Sequence, residues 1–410
     1  MPAPLLLSKP LTLPHCTCKL SSPVPLDTFA PVGEYMVYVI KVEADPDNAA
    51  GLAPNSHSVE RRYNEFLLLH KYLASHYPHV PLPPLPEKRL NFKLTTLSND
   101  IGEESFVNKR RIALCDFLMR TLEHPILSAD QGFHRFVTVM LDWSQDLTDA
   151  EGNPLQASSL NPAKSLSAVF AGDTGHRQFR DLHNYADVLQ EHLVGLLAVH
   201  GRLAQNTQRL TVAFEELGMA FDDWSRIEVT LAEDLAEICR LFDRQAERLI
   251  NGLRDEERFA DCVKVFSGYG DSLRAVVSHQ QVLHGKVAKA EQAKLNKQQQ
   301  LEALDTTSDS GISGFFSRLT GPSTPEAREE LRTKLTAELQ ALTTEASEQE
   351  RCNNEFVQAA LGEVDRFQKF KQRELILMFL SFAKVQQAYA QAHVRLWTKV
   401  QTVLTAMHAQ

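Results

Sequence analysis

The 410-residue chain is short of proline over its second half. Of its 19 prolines, 17 fall at or before Pro162, and only Pro322 and Pro325 follow. Proline breaks helix interiors but suits turns and first helical turns. Its absence between those points permits very long helices there, whereas the first 160 or so residues read as a compact mixed domain. Long apolar runs are missing too. The longest near-continuous one, "LILMFLSFA" from Leu375 to Ala383, is far below the roughly 20 residues of a membrane span, so any membrane contact is expected to be peripheral. The opening "MPAPLLLSKPLTLPH" is broken by prolines and lacks the apolar core of a secretory signal.

Six cysteines are scattered, and only Cys16 and Cys18 lie close together. They are too few for a metal site and fit no disulfide framework, which predicts a reduced, cytoplasmic protein without metal. Basic charge is not in excess: 43 Lys and Arg face 52 Asp and Glu, a formal net charge of -9. That argues against nucleic acid as a partner held by bulk attraction, while leaving room for a local basic pocket. No HExxH, GxSxG, Walker-type loop or paired CxxC occurs, and the 15 histidines are dispersed, so neither an enzyme nor a cofactor is predicted.

What is present falls into two kinds of pattern. "EYMVYVIKVEA" (Glu34 to Ala44) is β-branched and aromatic and predicts a strand. "ADPDNAAGLAPNSH" predicts a loop and "SVERRY" a second strand. Phe66, Leu69, Leu73 and Tyr77 then recur at helical spacing, and "EESFVNKRRIALCDFLMRTLEHPIL" continues an amphipathic pattern through Phe106, Ile112, Leu114, Phe117, Leu118 and Leu122. Strands first and helices afterwards imply a small α+β domain.

Past the polar, turn-rich "TDAEGNPLQASSLNPAKS", three helices are predicted, over about 176–218, about 222–303, and from Glu326 almost to the C-terminus. Thr324 before Pro325 supplies a hydroxyl cap and a proline at the first helical position. Along the third helix Leu331, Leu335, Leu339, Leu342 and Ala346 open an apolar face in steps of three and four, and Phe356, Phe367, Phe379, Trp397 and Leu404 continue it. Helices of that length make an elongated bundle, with a partner chain covering the rest of the stripe. The other reading is an ordinary bundle whose helices break at Gly252, Gly268, Gly270 and Gly285.

One stretch carries site chemistry. In "RRYNEF", Arg62 offers a planar fork of donors to a phosphate, and Tyr63 offers an aromatic face to a sugar ring. Lys88 ends the stiff "PLPPLPEK" and is placed to meet a second phosphate. Arg110 and Arg111 stand ahead of the apolar part of the second helix in "NKRRIALCDFL". Together and in this order, over about Lys19 to Trp143, these motifs resemble the phox-homology (PX) domain.

The resemblance implies that Arg62 holds the 3-phosphate of phosphatidylinositol 3-phosphate, Tyr63 stacks on the inositol and Lys88 meets the 1-phosphate. Arg110 bonds ring hydroxyls, and is preferred to Arg111 because it lies four residues before Leu114. Asn64 stands where the family often has serine, and its amide can still donate to phosphate. Arg61 is a solvated or structural neighbour. In "KRLNFKL", Leu90 and Phe92 sit among cations as membrane-inserting candidates, with burial in the core as the alternative. Pro83, Pro86 and Lys88 also fit an SH3-domain ligand.

A PX domain followed by three long helices resembles the PX-BAR sorting nexins. "QFRDLHNYADVLQ", "FDDWSRIE", "LRDEERFADCVKVFSGYGDSLRAV" and "RFQKFKQREL" extend the likeness over most of residues 35–400. It implies an N-terminal tail (1–18), a PX domain (19–145), a linker containing a candidate amphipathic helix (146–175) and an all-α, elongated three-helix BAR domain (176–408). The expected function is a peripheral protein of early and recycling endosomes that binds phosphatidylinositol 3-phosphate and anionic membrane. It would pair with another PX-BAR sorting nexin or with itself, and serve endosomal sorting, recycling and autophagy-linked traffic. The alternative is a soluble coiled-coil or SH3-ligand adaptor whose PX-like fold binds protein. Lys286, Lys289, Lys294 and Lys297 read as a lipid-touching tip or a solvated face, and Phe315 and Phe316 as a membrane tip or a partner contact.

Overall fold

The structure is a computed structural model that describes residues 17–20, 24–25, 36–43, 57–86, 103–145, 147, 173–306 and 325–409. The N-terminal part is built on strand β3 (Met36–Glu43), which pairs antiparallel with β4 (His57–Arg62) and with the short strands β1 (Thr17–Leu20) and β2 (Val24–Pro25). β1 begins at Thr17, so Thr17 and Cys18, expected in the tail, are sheet residues held by pairing to Glu43 and Val42. Residues opposite each other on paired strands point to the same face, and neighbours along a strand point to opposite faces. Tyr38 faces Arg61 and Ile40 faces Val59, and all four are buried at 1% exposure or less. Arg61 is therefore on the core face, and alternation sends Arg62 to the other.

Two predicted helices pack on this sheet: α1 (Tyr63–His76), through Phe66, Leu69 and Leu73, and α2 (Glu103–Glu123), through Leu114, Phe117, Leu118 and Leu122. Ile112, expected on the apolar face of α2, is exposed. A third helix was not anticipated. α3 (Gln131–Thr138) starts where the Asp130 carboxylate accepts from the Phe133 N–H at 2.7 Å, as N-cap aspartates do. The Tyr72 and Tyr77 hydroxyls donate to the same carboxylate, at 3.2 and 2.9 Å.

The second part is three helices: α4 (Asp173–Ser225), α5 (Ala232–Thr306) and α6 (Pro325–Ala409), of 53, 75 and 85 residues. At 1.5 Å per residue α6 alone runs roughly 130 Å. The fold is thus an α+β unit followed by an elongated, all-α three-helix rod. α4 starts three residues before the expected position and continues past Gly218, and the turn to α5 lies at residues 226–231. "DDWSRIEVT" was expected to open the second helix. Instead, the Ser225 hydroxyl donates to the Asp222 carbonyl at 2.7 Å and Arg226 pairs with Asp222 and Asp223 at the end of the first.

The glycines of α5 do not break it. At Gly252 an added Cβ would stand 2.1 Å from the Tyr389 ring, and at Gly268 2.7 Å from Pro84, so both are places where another group presses against the helix backbone. One polar layer crosses the rod. Glu256 of α5, 2% exposed, accepts from Gln386 of α6 at 2.5 Å and lies 3.6 Å from His200 of α4, whose ring packs against Phe259 and Phe382. Burial pushes the Glu256 carboxyl above its ordinary range, opposed by the Gln386 and Tyr389 contacts.

Candidate functional site

The strand-to-helix corner at Arg61–Tyr63 organises the N-terminal surface. Arg61 is a structural residue, which settles the two readings its position allowed. Its Nε donates to the Phe136 carbonyl at 3.0 Å, and Nη1 donates to the Glu60 and Met140 carbonyls at 2.7 and 3.1 Å. Nη2 donates to the Val139 carbonyl, and the guanidinium packs on the Phe136 and Trp143 rings. A cation thus satisfies the carbonyls that end α3, where the helix dipole is negative. Burial pushes the Arg61 pKa down, with Glu65 opposing. Glu65 holds the corner from the other side: it accepts the Arg62 N–H at 2.7 Å and the Trp143 indole N–H at 2.8 Å.

Arg62 is exposed on the opposite side of the strand, and Asn64 is exposed one residue beyond Tyr63. Tyr63 is half-buried. Its hydroxyl donates to the Pro86 carbonyl, and the Arg110 guanidinium lies 4.9 Å from its ring centroid. Arg110 also faces the Tyr38 hydroxyl. Burial pushes that phenol up, and the arginine opposes the shift. Arg111 turns elsewhere, donating to the Asn108 side chain at 3.0 and 2.9 Å. The structure therefore gathers Tyr63, Arg110 and the Pro86 carbonyl, with Arg62 and Asn64 exposed beside them. Lys88, Leu90, Phe92, Phe315, Phe316 and the 148–172 part of the linker lie outside the described residues.

The proline segment is not a free ligand. Residues 81–83 are buried, with Leu82 4% exposed, and the Leu82 carbonyl accepts from the Ser272 hydroxyl of α5 at 2.8 Å. An SH3 domain needs a solvent-facing polyproline II ridge, and this one is spent on the protein's own packing. Around it runs a seam between the two parts. Lys109 pairs with Glu257 at 3.1 Å, Arg120 packs over Phe266 and Phe370, and His124 Nε2 meets Glu363 at 3.0 Å. None of these contacts was visible in the sequence, because their partners lie more than 140 residues apart.

The PX domain family pattern matches residues 52–140, which include the corner and both helices that flank it. The chain is similar to sorting nexin-4 of Homo sapiens, with 33% identity over 379 residues that cover 91% of this chain and 82% of that protein. It belongs to the PX-BAR sorting nexin family. A more distant relative, sorting nexin-4 of Saccharomyces cerevisiae, is 25% identical over 360 residues, 83% of this chain and 82% of that one. The cryo-EM structure of the SNX-BAR Mvp1 tetramer is similar with a TM-score of 0.64 at 18% identity, covering 93% of this chain and 99% of that chain. That likeness speaks for the fold, a PX unit on a BAR rod. Membership in the family makes this sorting nexin a protein of membrane-associated endosomal sorting. No described helix is long and apolar enough to cross a membrane.

Proposed function

We propose that this sorting nexin is a non-catalytic, peripheral membrane scaffold that binds phosphatidylinositol 3-phosphate through its PX unit and dimerises through its rod. It would act on curved early and recycling endosomal membrane in sorting, recycling and autophagy-linked traffic. The division of labour is a headgroup-binding unit that opens with β1 at Thr17 and runs to about 145, a linker, and a BAR domain that opens with α4 at Asp173. The observation that carries the lipid reading is the stacking of Arg110 on Tyr63 beside an exposed Arg62. In this arrangement Arg62 supplies bidentate donors to the 3-phosphate, Tyr63 a face for the inositol, and Arg110 donors for ring hydroxyls. Lys88 meets the 1-phosphate, Asn64 assists at the phosphate edge, and Leu90 and Phe92 enter the bilayer.

Pairing rests on a different observation. Large apolar side chains are exposed along α4 from Val188, at Ile227 and Val229 in the turn, and on α6 from Ile376 to Leu404. These stretches flank the end of the rod where Phe214, Phe242, Leu396 and Val400 join the three helices. Exposed apolar side chains in this number mark an interaction surface, and the occupant we assign is a second BAR rod, from another copy or another PX-BAR sorting nexin. Two headgroup sites on one rigid dimer raise avidity without new contacts.

Co-sedimentation of the full chain with liposomes, with and without phosphatidylinositol 3-phosphate, tests the lipid reading. Wild type should pellet only with the phosphoinositide, and Arg62→Ala should stay in the supernatant. Equal pelleting of wild type on liposomes lacking phosphoinositide would overturn it.

A further inference from the structure

The proline segment touches both the rod and the candidate site. Four of the six residues from Pro81 to Pro86 are proline, whose fixed φ makes the segment stiff. At its start the Ser272 hydroxyl of α5 donates to the Leu82 carbonyl at 2.8 Å. One turn earlier on α5, Gly268 lies so close that a Cβ there would stand 2.7 Å from Pro84 Cβ and 3.0 Å from Cγ. At its end the Pro86 carbonyl accepts the Tyr63 hydroxyl, and Tyr63 in turn carries Arg110 on its ring. A stiff strut held at one end by the rod and at the other by the stacking tyrosine passes displacement along rather than absorbing it.

We propose that Gly268 and Ser272 of α5 are positioning residues for the headgroup site: the rod seats the proline strut, and the strut sets the angle of the Tyr63 ring. The inference rests on the headgroup reading for its ligand, but the mechanical link has a test of its own. Because coupling free energy is reciprocal, a headgroup that fits the Tyr63 ring must also tighten the seating of the PX unit on the rod. The PX unit of this chain is then tuned for headgroup affinity by a helix outside it.

The test uses the full chain with alanine at either of two glycines on the same helix. Gly268→Ala adds a methyl against Pro84, whereas Gly285→Ala adds one with nothing within 4 Å. Both raise helix propensity, so neither should unfold α5, and thermal melting checks this. Ser272→Ala adds no atoms and removes only the hydrogen bond to Leu82.

Titration calorimetry with inositol 1,3-bisphosphate, the soluble headgroup, should show affinity falling roughly five- to thirtyfold in Gly268→Ala. A smaller loss is expected in Ser272→Ala and none in Gly285→Ala. In parallel, with every tyrosine replaced by 3-fluorotyrosine and read by ¹⁹F NMR without ligand, the Tyr63 resonance should shift in Gly268→Ala while the other tyrosine resonances keep their folded dispersion. An unmoved Tyr63 resonance, or an affinity within twofold of wild type in Gly268→Ala, would overturn the coupling and leave the headgroup reading intact. Failure of wild type itself to bind inositol 1,3-bisphosphate would instead overturn the headgroup reading and remove the ligand from this proposal.

Discussion

In the PX half, Phe66, Leu69, Leu73, Phe117, Phe133 and Phe136 are all at 1% exposure or less. Among the residues of that half whose side chains are described, the large apolar ones that are exposed are Ile112, Val139, Met140 and Leu141. The rod is different. Ile227 is 80% exposed, Val229 93%, Trp397 51% and Leu404 48%, in a bundle that is otherwise well packed around Phe242, Phe266 and Leu273. A sheet and three short helices can close on themselves. Three helices in a row cannot, because each has neighbours on only part of its circumference. The PX half closes its core with its own residues and seats its proline segment on α5, whereas the rod keeps large apolar side chains exposed.

The largest expected effect breaks the PX half. Arg61→Ala removes a buried group that satisfies the Phe136, Val139, Met140 and Glu60 carbonyls. Leaving these under-satisfied should cost about 3–5 kcal/mol, read by denaturant unfolding. The loss should not depend on protein concentration. Trp397→Glu should act oppositely, sparing each chain's fold while weakening pairing by about 2–4 kcal/mol. Sedimentation velocity, alone and with a second PX-BAR sorting nexin, would show this as a shift to single chains. An unchanged mass distribution would mean that the exposed face is not the pairing surface. Gly252→Ala forces a methyl into the Tyr389 ring and should destabilise the rod by about 1–3 kcal/mol in a thermal melt, whereas Gly285→Ala should not.

The smallest effect sits on the seam. His124 Nδ1 accepts the Ile126 and Leu127 N–H groups, both at 3.3 Å, so Nε2 carries the proton given to Glu363 and the ring is neutral. Burial pushes His124 below its ordinary 6.5, and does the same for His79 and for His279 of α5. Burial pushes the Glu363 carboxyl up, but His124 and Arg366 outweigh it and hold it low. As pH falls the unfolded chain takes up protons first. The histidine contribution is therefore complete above about 6.5 and is lost progressively below it. The carboxylate contribution survives to lower pH. Melting temperatures between pH 8 and 5 should bend downward below about 6.5, and His124→Gln should flatten that bend.

Much of this architecture is legible in the sequence because it is local. The proline gap and the three- and four-residue steps give the three long helices, and β-branched alternation gives β3 and β4. The eight residues of α3 are too few to display a period, and β1 needs the edge of β3 to exist at all. Of the residues proposed for the site, Arg62, Tyr63 and Arg110 are chosen from their order along the chain, and the structure stacks Arg110 on the Tyr63 ring with Arg62 exposed beside them. Arg61 was legible in principle, since alternation from Val59 places it on the core face, but its role depends on carbonyls 75 and more residues away. Gly252 and Gly268 look like breaks until the groups pressed against them are known. Proximity of that kind has no signature in one sequence.

The polar layer of Glu256, Gln386 and His200 has a consequence for how the rod carries load. Helices packed only through greasy seams can slip past one another by a whole turn, about 5.4 Å, and find a similar fit again. Here a slip of one notch would strand the Glu256 carboxylate without Gln386 and push the Tyr389 ring off its seat at Gly252. Both penalties would fall at the same place. The buried layer is therefore a rivet through all three helices, seconded by ties such as Arg274–Asp187 and Lys297–Glu338, and a load along the rod would flex it as one beam.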